Sequence, residues 1–178
     1  GDLFEKRNGN GATVKGVTME MRVNYDKKIQ VEGGYTIQSS MYEDPVENIE
    51  GLDPIREFIK TPNHYGYSTI TLMPNNNFNS TFSLVYTGRM DMIHLGGSVD
   101  QISDEYFRTK QFYNIVIKSS YIINLDNDNN IELSAGVKNI LNDYQNDFDT
   151  FKNRDSNFIY GPSMPRTFFI GFKYNLGN

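Results

Sequence analysis

The chain has 178 residues, enough for one domain, and a net charge of -5 gives a nucleic-acid partner no electrostatic support. Hydrophobic residues make up 38%, below the roughly 45–50% of ordinary globular domains, so a large buried core is under-supplied while a sheet with one apolar face is not. Without cysteine there is neither disulfide nor thiol chemistry, and no apolar run approaches the roughly 18 residues of a membrane helix, a test that strands of alternating polarity escape.

In chain order, the polar, glycine-rich start (Lys6-Arg7-Asn8-Gly9-Asn10-Gly11) reads as the middle of a loop, so a piece of a longer chain is expected. Strands are predicted over about 13–25 and 29–38, folded about Asp26-Lys27-Lys28. Side chains alternate faces along a strand, and this fold pairs Tyr25 with Ile29, Val23 with Val31 and Met21 with Gly33 on one face. The other face holds Arg22 with Glu32 and Asn24 with Gln30. A short helical stretch near 45–60 is disfavoured by Pro45 and Pro54. Strands over 64–73 and 78–87 pair Ile70 with Phe82 about the Pro74–Asn77 turn. Strands over 112–123 and 131–138 pair Tyr121 with Leu133, and a last strand over 166–176 puts Phe168, Ile170, Phe172 and Tyr174 on one side. Phe169 breaks the alternation there. The expected fold is all-β, an antiparallel up-and-down meander of about seven strands.

The connections alternate short and long. The long ones cover about 39–63, 88–111 and 139–165, whereas compact soluble domains use loops of about 4–6 residues. Period-two alternation fits a soluble β-sandwich as well as a barrel, and the frequency of sandwiches favours that reading. Strand length and the loop asymmetry favour a membrane barrel, whose strands need about 9–11 residues.

From Ser134 the wording is specific: Gly136-Val137-Lys138-Asn139-Ile140-Leu141-Asn142-Asp143-Tyr144-Gln145, then Asp147-Phe148-Asp149, Arg154-Asp155, Tyr160-Gly161-Pro162 and Pro165-Arg166-Thr167. This resembles the C-terminal end of TonB-dependent outer-membrane receptors of the Bacteroidetes type. Upstream, Ala12–Glu20, Thr61–Tyr67 and Tyr86–Met90 also resemble segments of that family, so the resemblance runs through essentially the whole chain. It implies that residues 1–178 are a single segment of transmembrane β-barrel, the last strands of a 22-stranded wall. The short turns then lie on the periplasmic rim and the long loops outside. It implies outer-membrane lipid as surroundings, the plug domain of the same chain and TonB, contacted by a missing N-terminal part, as partners. The implied function is uptake of a scarce nutrient: an iron chelate, haem, a corrinoid or a glycan. The competing class is a secreted soluble β-sandwich that binds carbohydrate or protein. Cut out of its barrel, the segment is expected to curl up, self-associate or take up detergent.

Residues that carry chemistry are few. His64 and His94, with Arg89, fall near the long-loop rim and are candidates for substrate contact, the alternative being solvated loop histidines. Asp143, Asp147 and Asp149, with Asp155, are candidates for binding Ca²⁺ through oxygen. Otherwise they are solvated, with Arg154 or Arg166 pairing Asp149 or Asp155. Asp126–Asn130 opens like an EF-hand, but Ile131 stands where glycine is needed, so it reads as a turn. No nucleophile elbow, zinc-protease, P-loop or dinucleotide motif is present, and an enzyme is not expected. No other cofactor is called for. Seven tyrosines (65, 67, 86, 113, 121, 160 and 174) fall at or near predicted strand ends, as girdle residues of a barrel do or as strand propensity alone would place them.

Overall fold

A computed structural model describes residues 9, 11–126 and 128–177. Lys6, Arg7, Asn8 and Asn10 of the expected opening loop, Asn127 of the third turn and the terminal Asn178 lie outside the described residues. The described residues form ten strands: β1 (Ala12–Tyr25), β2 (Ile29–Val46), β3 (Ile55–Glu57), β4 (His64–Asn75), β5 (Phe78–Thr87), β6 (Asp91–His94), β7 (Glu105–Arg108), β8 (Phe112–Asn124), β9 (Asn130–Lys138) and β10 (Thr167–Asn175). Seven of them make one antiparallel up-and-down sheet in the order β1-β2-β4-β5-β8-β9-β10, with β3 added on β2. There is no helix among the described residues. The stretch where a helix was conceivable instead lengthens β2 to Val46 and supplies β3, in keeping with its two prolines. The sheet is open: β1 and β10 are its edges, and the segment does not curl closed on itself.

Turn chemistry sets the register. Asp26 and Lys27 both adopt positive φ (49° and 53°), the geometry whose twist matches the flanking strands, and Lys28 N donates to Tyr25 O at 3.0 Å. Asn75 Oδ1 accepts from the backbone N–H of Asn77 and of Phe78, both at 2.9 Å, fixing the second turn through a side chain. At the third turn Leu125 N donates to Asn129 O at 2.8 Å.

With these turns fixed, one cross-strand row runs Val23, Val31, Ile70, Phe82, Ile117, Val137 and Phe168, apolar on every strand of the sheet. A neighbouring row on the opposite face runs Asn24, Gln30, Thr71, Thr81, Lys118, Gly136 and Phe169. Phe169 breaks the polar pattern for a steric reason: a Cβ on the facing Gly136 would run into its ring, and Lys138 Nζ sits 5.6 Å above that ring. Tyr67 over Gly34 and Tyr35 over Gly66 repeat the device, an aromatic ring covering a directly opposed glycine.

The apolar face carries no second layer among the described residues. Met19 is 72% exposed, Phe172 69% and Ile170 90%. The buried apolar residues lie elsewhere: Met92, Phe112, Phe158 and Tyr160 cluster where the long connections meet the upper end of the polar face.

Candidate functional site

The second and third long connections, 88–111 and 139–165, fold into a cap. In the second, β6 and β7 form a hairpin closed at its base by Thr109, which accepts from Met90 N at 3.1 Å through its hydroxyl and returns its own N–H to Met90 O at 3.0 Å. These short strands escaped the sequence reading because four residues give no measurable period. The third connection has no regular structure and is held by side chains. Buried Gln145 works like a piece of strand: its N–H donates to Pro162 O (3.1 Å), its Nε2 to Phe158 O (3.0 Å), and its Oε1 accepts from Tyr160 N (2.9 Å). Asn139, also buried and at φ 49°, donates from Nδ2 to Met164 O at 2.9 Å and accepts from Asp143 N at 3.1 Å. Both residues stand in the stretch that carries the family resemblance, the one signal that could have marked them.

His94 joins the two connections. Its Nε2 lies 2.8 Å from Asp149 Oδ1, and its ring stacks on Phe158 with centroids 3.7 Å apart and planes within 3°. Asp149 Oδ2 also accepts from Asp155 N at 2.9 Å. That backbone bond, then the bond from His94, hold the Asp149 carboxyl below its ordinary range against the opposing effect of burial. Asp155 in turn accepts from Leu95 N at 3.1 Å and Asn157 N at 2.8 Å. At the outer edge, Asp100 accepts from both the N–H and the hydroxyl of Thr150 (2.9 and 2.7 Å), and these bonds lower its pKa. Tyr160 donates to Asp147; burial first, then that carboxylate, push its hydroxyl far up. The first long connection is tied in by Lys60, whose Nζ donates to Asn157 O at 2.8 Å.

The sequence candidates therefore separate. His94 is buried and paired with Asp149, so it is not a solvated loop histidine, and the partner of Asp149 is His94 rather than an arginine. His64 is exposed on the apolar side of the rim, with Nδ1 3.4 Å from Tyr35 Oη. Arg89 is exposed between β5 and β6. Asp143 accepts from Tyr113 N at 3.1 Å and pairs with Lys110 at 3.3 Å. Asp143, Asp147 and Asp149 thus serve three different structural tasks, and among the described residues no three acidic or histidine side chains are grouped to hold a metal. Tyr160, read as a strand-end residue, belongs to the cap core.

At the same level Tyr35, Tyr86 and Tyr113 form a row on the apolar face, with Gly66 between the first two; Tyr35 and Tyr86 stack at 6.1 Å, and Tyr86 and Tyr113 lie 5.1 Å apart. Exposed Tyr25, Tyr121 and Tyr174 mark the opposite, short-turn end. On β8 eight residue steps separate Tyr113 from Tyr121, about 27 Å at roughly 3.4 Å per residue.

No protein-family model matches the chain, and no curated protein matches it in sequence.

Proposed function

We propose that the chain is part of the wall of a TonB-dependent outer-membrane receptor that imports a scarce nutrient. The observation that carries this reading is the seven-strand row from Val23 to Phe168, uncovered by protein among the described residues and, on β8, four residues from each of Tyr113 and Tyr121. An apolar band about 25 Å tall between aromatic girdles is what a barrel presents to lipid. The opposite face, with Arg22, Glu32, Thr69 and Lys118, suits an aqueous interior and a plug. The rest of the wall would pair with the free edges of β1 and β10, closing the barrel. The cap, gathered over the polar side at the long-loop end, is placed to meet cargo arriving from outside.

In this reading the protein resides in the bacterial outer membrane, its partners are lipid, the plug of the same chain and TonB, and it performs no catalysis. The isolated segment, with its apolar face uncovered, self-associates or binds detergent. A sandwich would need a second sheet over Val31, Ile70 and Phe82, and the described residues supply none. The test is fractionation of the whole native chain in its own cells. Recovery in the outer-membrane fraction, with mobility on gels that changes on heating, is the expected result. A soluble, secreted, detergent-independent protein would overturn the reading.

A further inference from the structure

The apolar face carries a hollow of about 580 Å³ near its long-loop end. Its floor is Gly33 on β2 and the directly paired Ser68 on β4. Leu84 and Tyr86 on β5 stand along one side, Met19 and Met21 on β1 along the other. The floor differs from the other glycine positions where strands pair. A Cβ on Gly34, Gly66 or Gly136 would run into an aromatic ring of this chain, whereas the atoms nearest a Cβ on Gly33 are Tyr67 O and Ser68. The hollow is therefore open at Gly33.

Lipid tails are as apolar as this face, so shape rather than hydrophobicity selects what packs there. Met19 and Met21 are 72% and 59% exposed, knobs that rise one strand away from the hole. Two copies related by a two-fold axis meet through the same patch. An axis along the membrane normal, set between knob and hole, lodges the knob of each copy in the hole of the other, provided both lie at one height. Knob and hole are about 7 Å apart across the strands, and a strand tilt of roughly 35–45° inclines the pairing rows by about 5 Å over that distance. Met19 and Met21, two residues and about 7 Å apart along β1, bracket the hollow, so one of them comes level with it for either sense of the incline.

The patch also has the extent a dimer needs. Four strands (β1, β2, β4 and β5), about 4.8 Å apart and crossing an apolar band about 25 Å tall, present roughly 500–600 Å² in projection. The same face continues past the tyrosine level. Ile37, two residues beyond Tyr35, and its partner Val17 are 52% and 65% exposed. With side-chain relief, this approaches the roughly 800 Å² per partner of a standard interface. Val17 and Ile37 meet lipid headgroups in a lone barrel, whereas a second barrel covers them.

Resting on the receptor reading above, we propose that whole barrels pair as two-fold dimers through this patch, Met19 and Met21 of each copy seated over Gly33 and Ser68 of the other.

To test this, the whole native chain is produced in its own cells as two differently tagged copies. One carries Met19→Cys or Met21→Cys, the other Ser68→Cys, and outer membranes are treated with a short bismaleimide. A product carrying both tags is expected from at least one of the two pairings, and none when either variant is paired with the unsubstituted chain. Unsubstituted copies with the two tags co-purify. Ser68→Leu, which fills the hollow, lowers the co-purified fraction about ten-fold, as does Met19→Ala combined with Met21→Ala, while heat-modifiable mobility persists. Absence of the mixed product with both copies in the outer membrane overturns the proposal, since lipid then fills the hollow. So does co-purification that Ser68→Leu and the paired alanines leave unchanged, since the copies then meet by another surface. Each of these outcomes leaves a membrane-embedded barrel intact, whereas absence of the chain from the outer membrane is failure of the receptor reading itself.

Discussion

Met19, Phe168 and Ile170 stand in the open on the sheet, while Met92, Phe112 and Phe158, where the cap meets the sheet, are sealed to within 2% of full burial. The sheet is wide, regular and one layer deep, held by ladder hydrogen bonds and turns. The cap is small and irregular, and it owes its shape to side chains that satisfy backbone groups. A water-soluble domain would reverse this, with a dry sheet and wet loops. On the receptor reading proposed above, the inversion follows from a solvent change along the molecule, apolar around the strands and aqueous around the loops.

The sharpest way to break the contrast is Phe158→Ala. A fully buried Phe→Ala change costs about 3–5 kcal/mol where the site cannot collapse, and Phe158 is stacked on His94 and edge-on to Phe107 and Tyr160. Hydrogen exchange of the whole chain in detergent should show residues 90–109 and 143–162 losing protection while β4, β5 and β8 keep theirs. Equal loss in both would mean that cap and sheet are one cooperative unit.

Next comes a pair of substitutions on opposite faces. Ile117→Arg places a charge in the apolar row, four residues from each of Tyr113 and Tyr121 on β8, and should destabilise the lipid-embedded chain by about 2–4 kcal/mol, the cost of arginine at a bilayer midplane. Thr69→Arg, on the polar face between Glu32 and Ser83, should change stability by less than about 1 kcal/mol. Urea unfolding in vesicles measures both, and similar values for the two would remove the distinction between the faces.

How far these regions could be read from sequence follows the same division. The pairs Tyr25 with Ile29, Ile70 with Phe82 and Tyr121 with Leu133 are present in the structure because period-two polarity and turn length together leave one register. The cap follows no period. His94 and Asp149 are 55 residues apart, and nothing in either neighbourhood says that the other will arrive. Gln145 looks like any loop glutamine until the three backbone groups it satisfies are in place.

A smaller effect sharpens the electrostatic side of the cap. Because the Asp149 carboxyl is held below its ordinary range, the folded cap gains stability above the unfolded value of about pH 3.9 and loses it as pH falls through the folded pKa. Exchange in residues 145–160 should therefore rise below about pH 4 while the sheet is unchanged. Asp149→Asn should remove that acid dependence and cost about 1–3 kcal/mol at neutral pH, as a weakened buried acceptor does. Persistence of the full acid response in Asp149→Asn would assign it to another carboxylate, Asp100 first.

The smallest expected effect lies at the other end of the sheet, in the Asp26-Lys27 turn. Lys27 holds φ at 53°, a left-handed conformation that costs an L-residue with a Cβ roughly 1–2 kcal/mol. Lys27→Gly removes that cost and adds roughly 0.5–1 kcal/mol of chain entropy to be lost on folding. The Lys28–Asp26 pair, 3.0 Å apart and exposed, contributes little either way and stays in place. The balance is a gain of about 0.5 kcal/mol, read as a higher urea midpoint with an unchanged slope. A loss larger than about 1 kcal/mol could not come from the backbone, which only relaxes. It would mean that the Lys27 side chain is held by a group outside this segment, and the short-turn rim would then be a contact surface rather than a plain hairpin end.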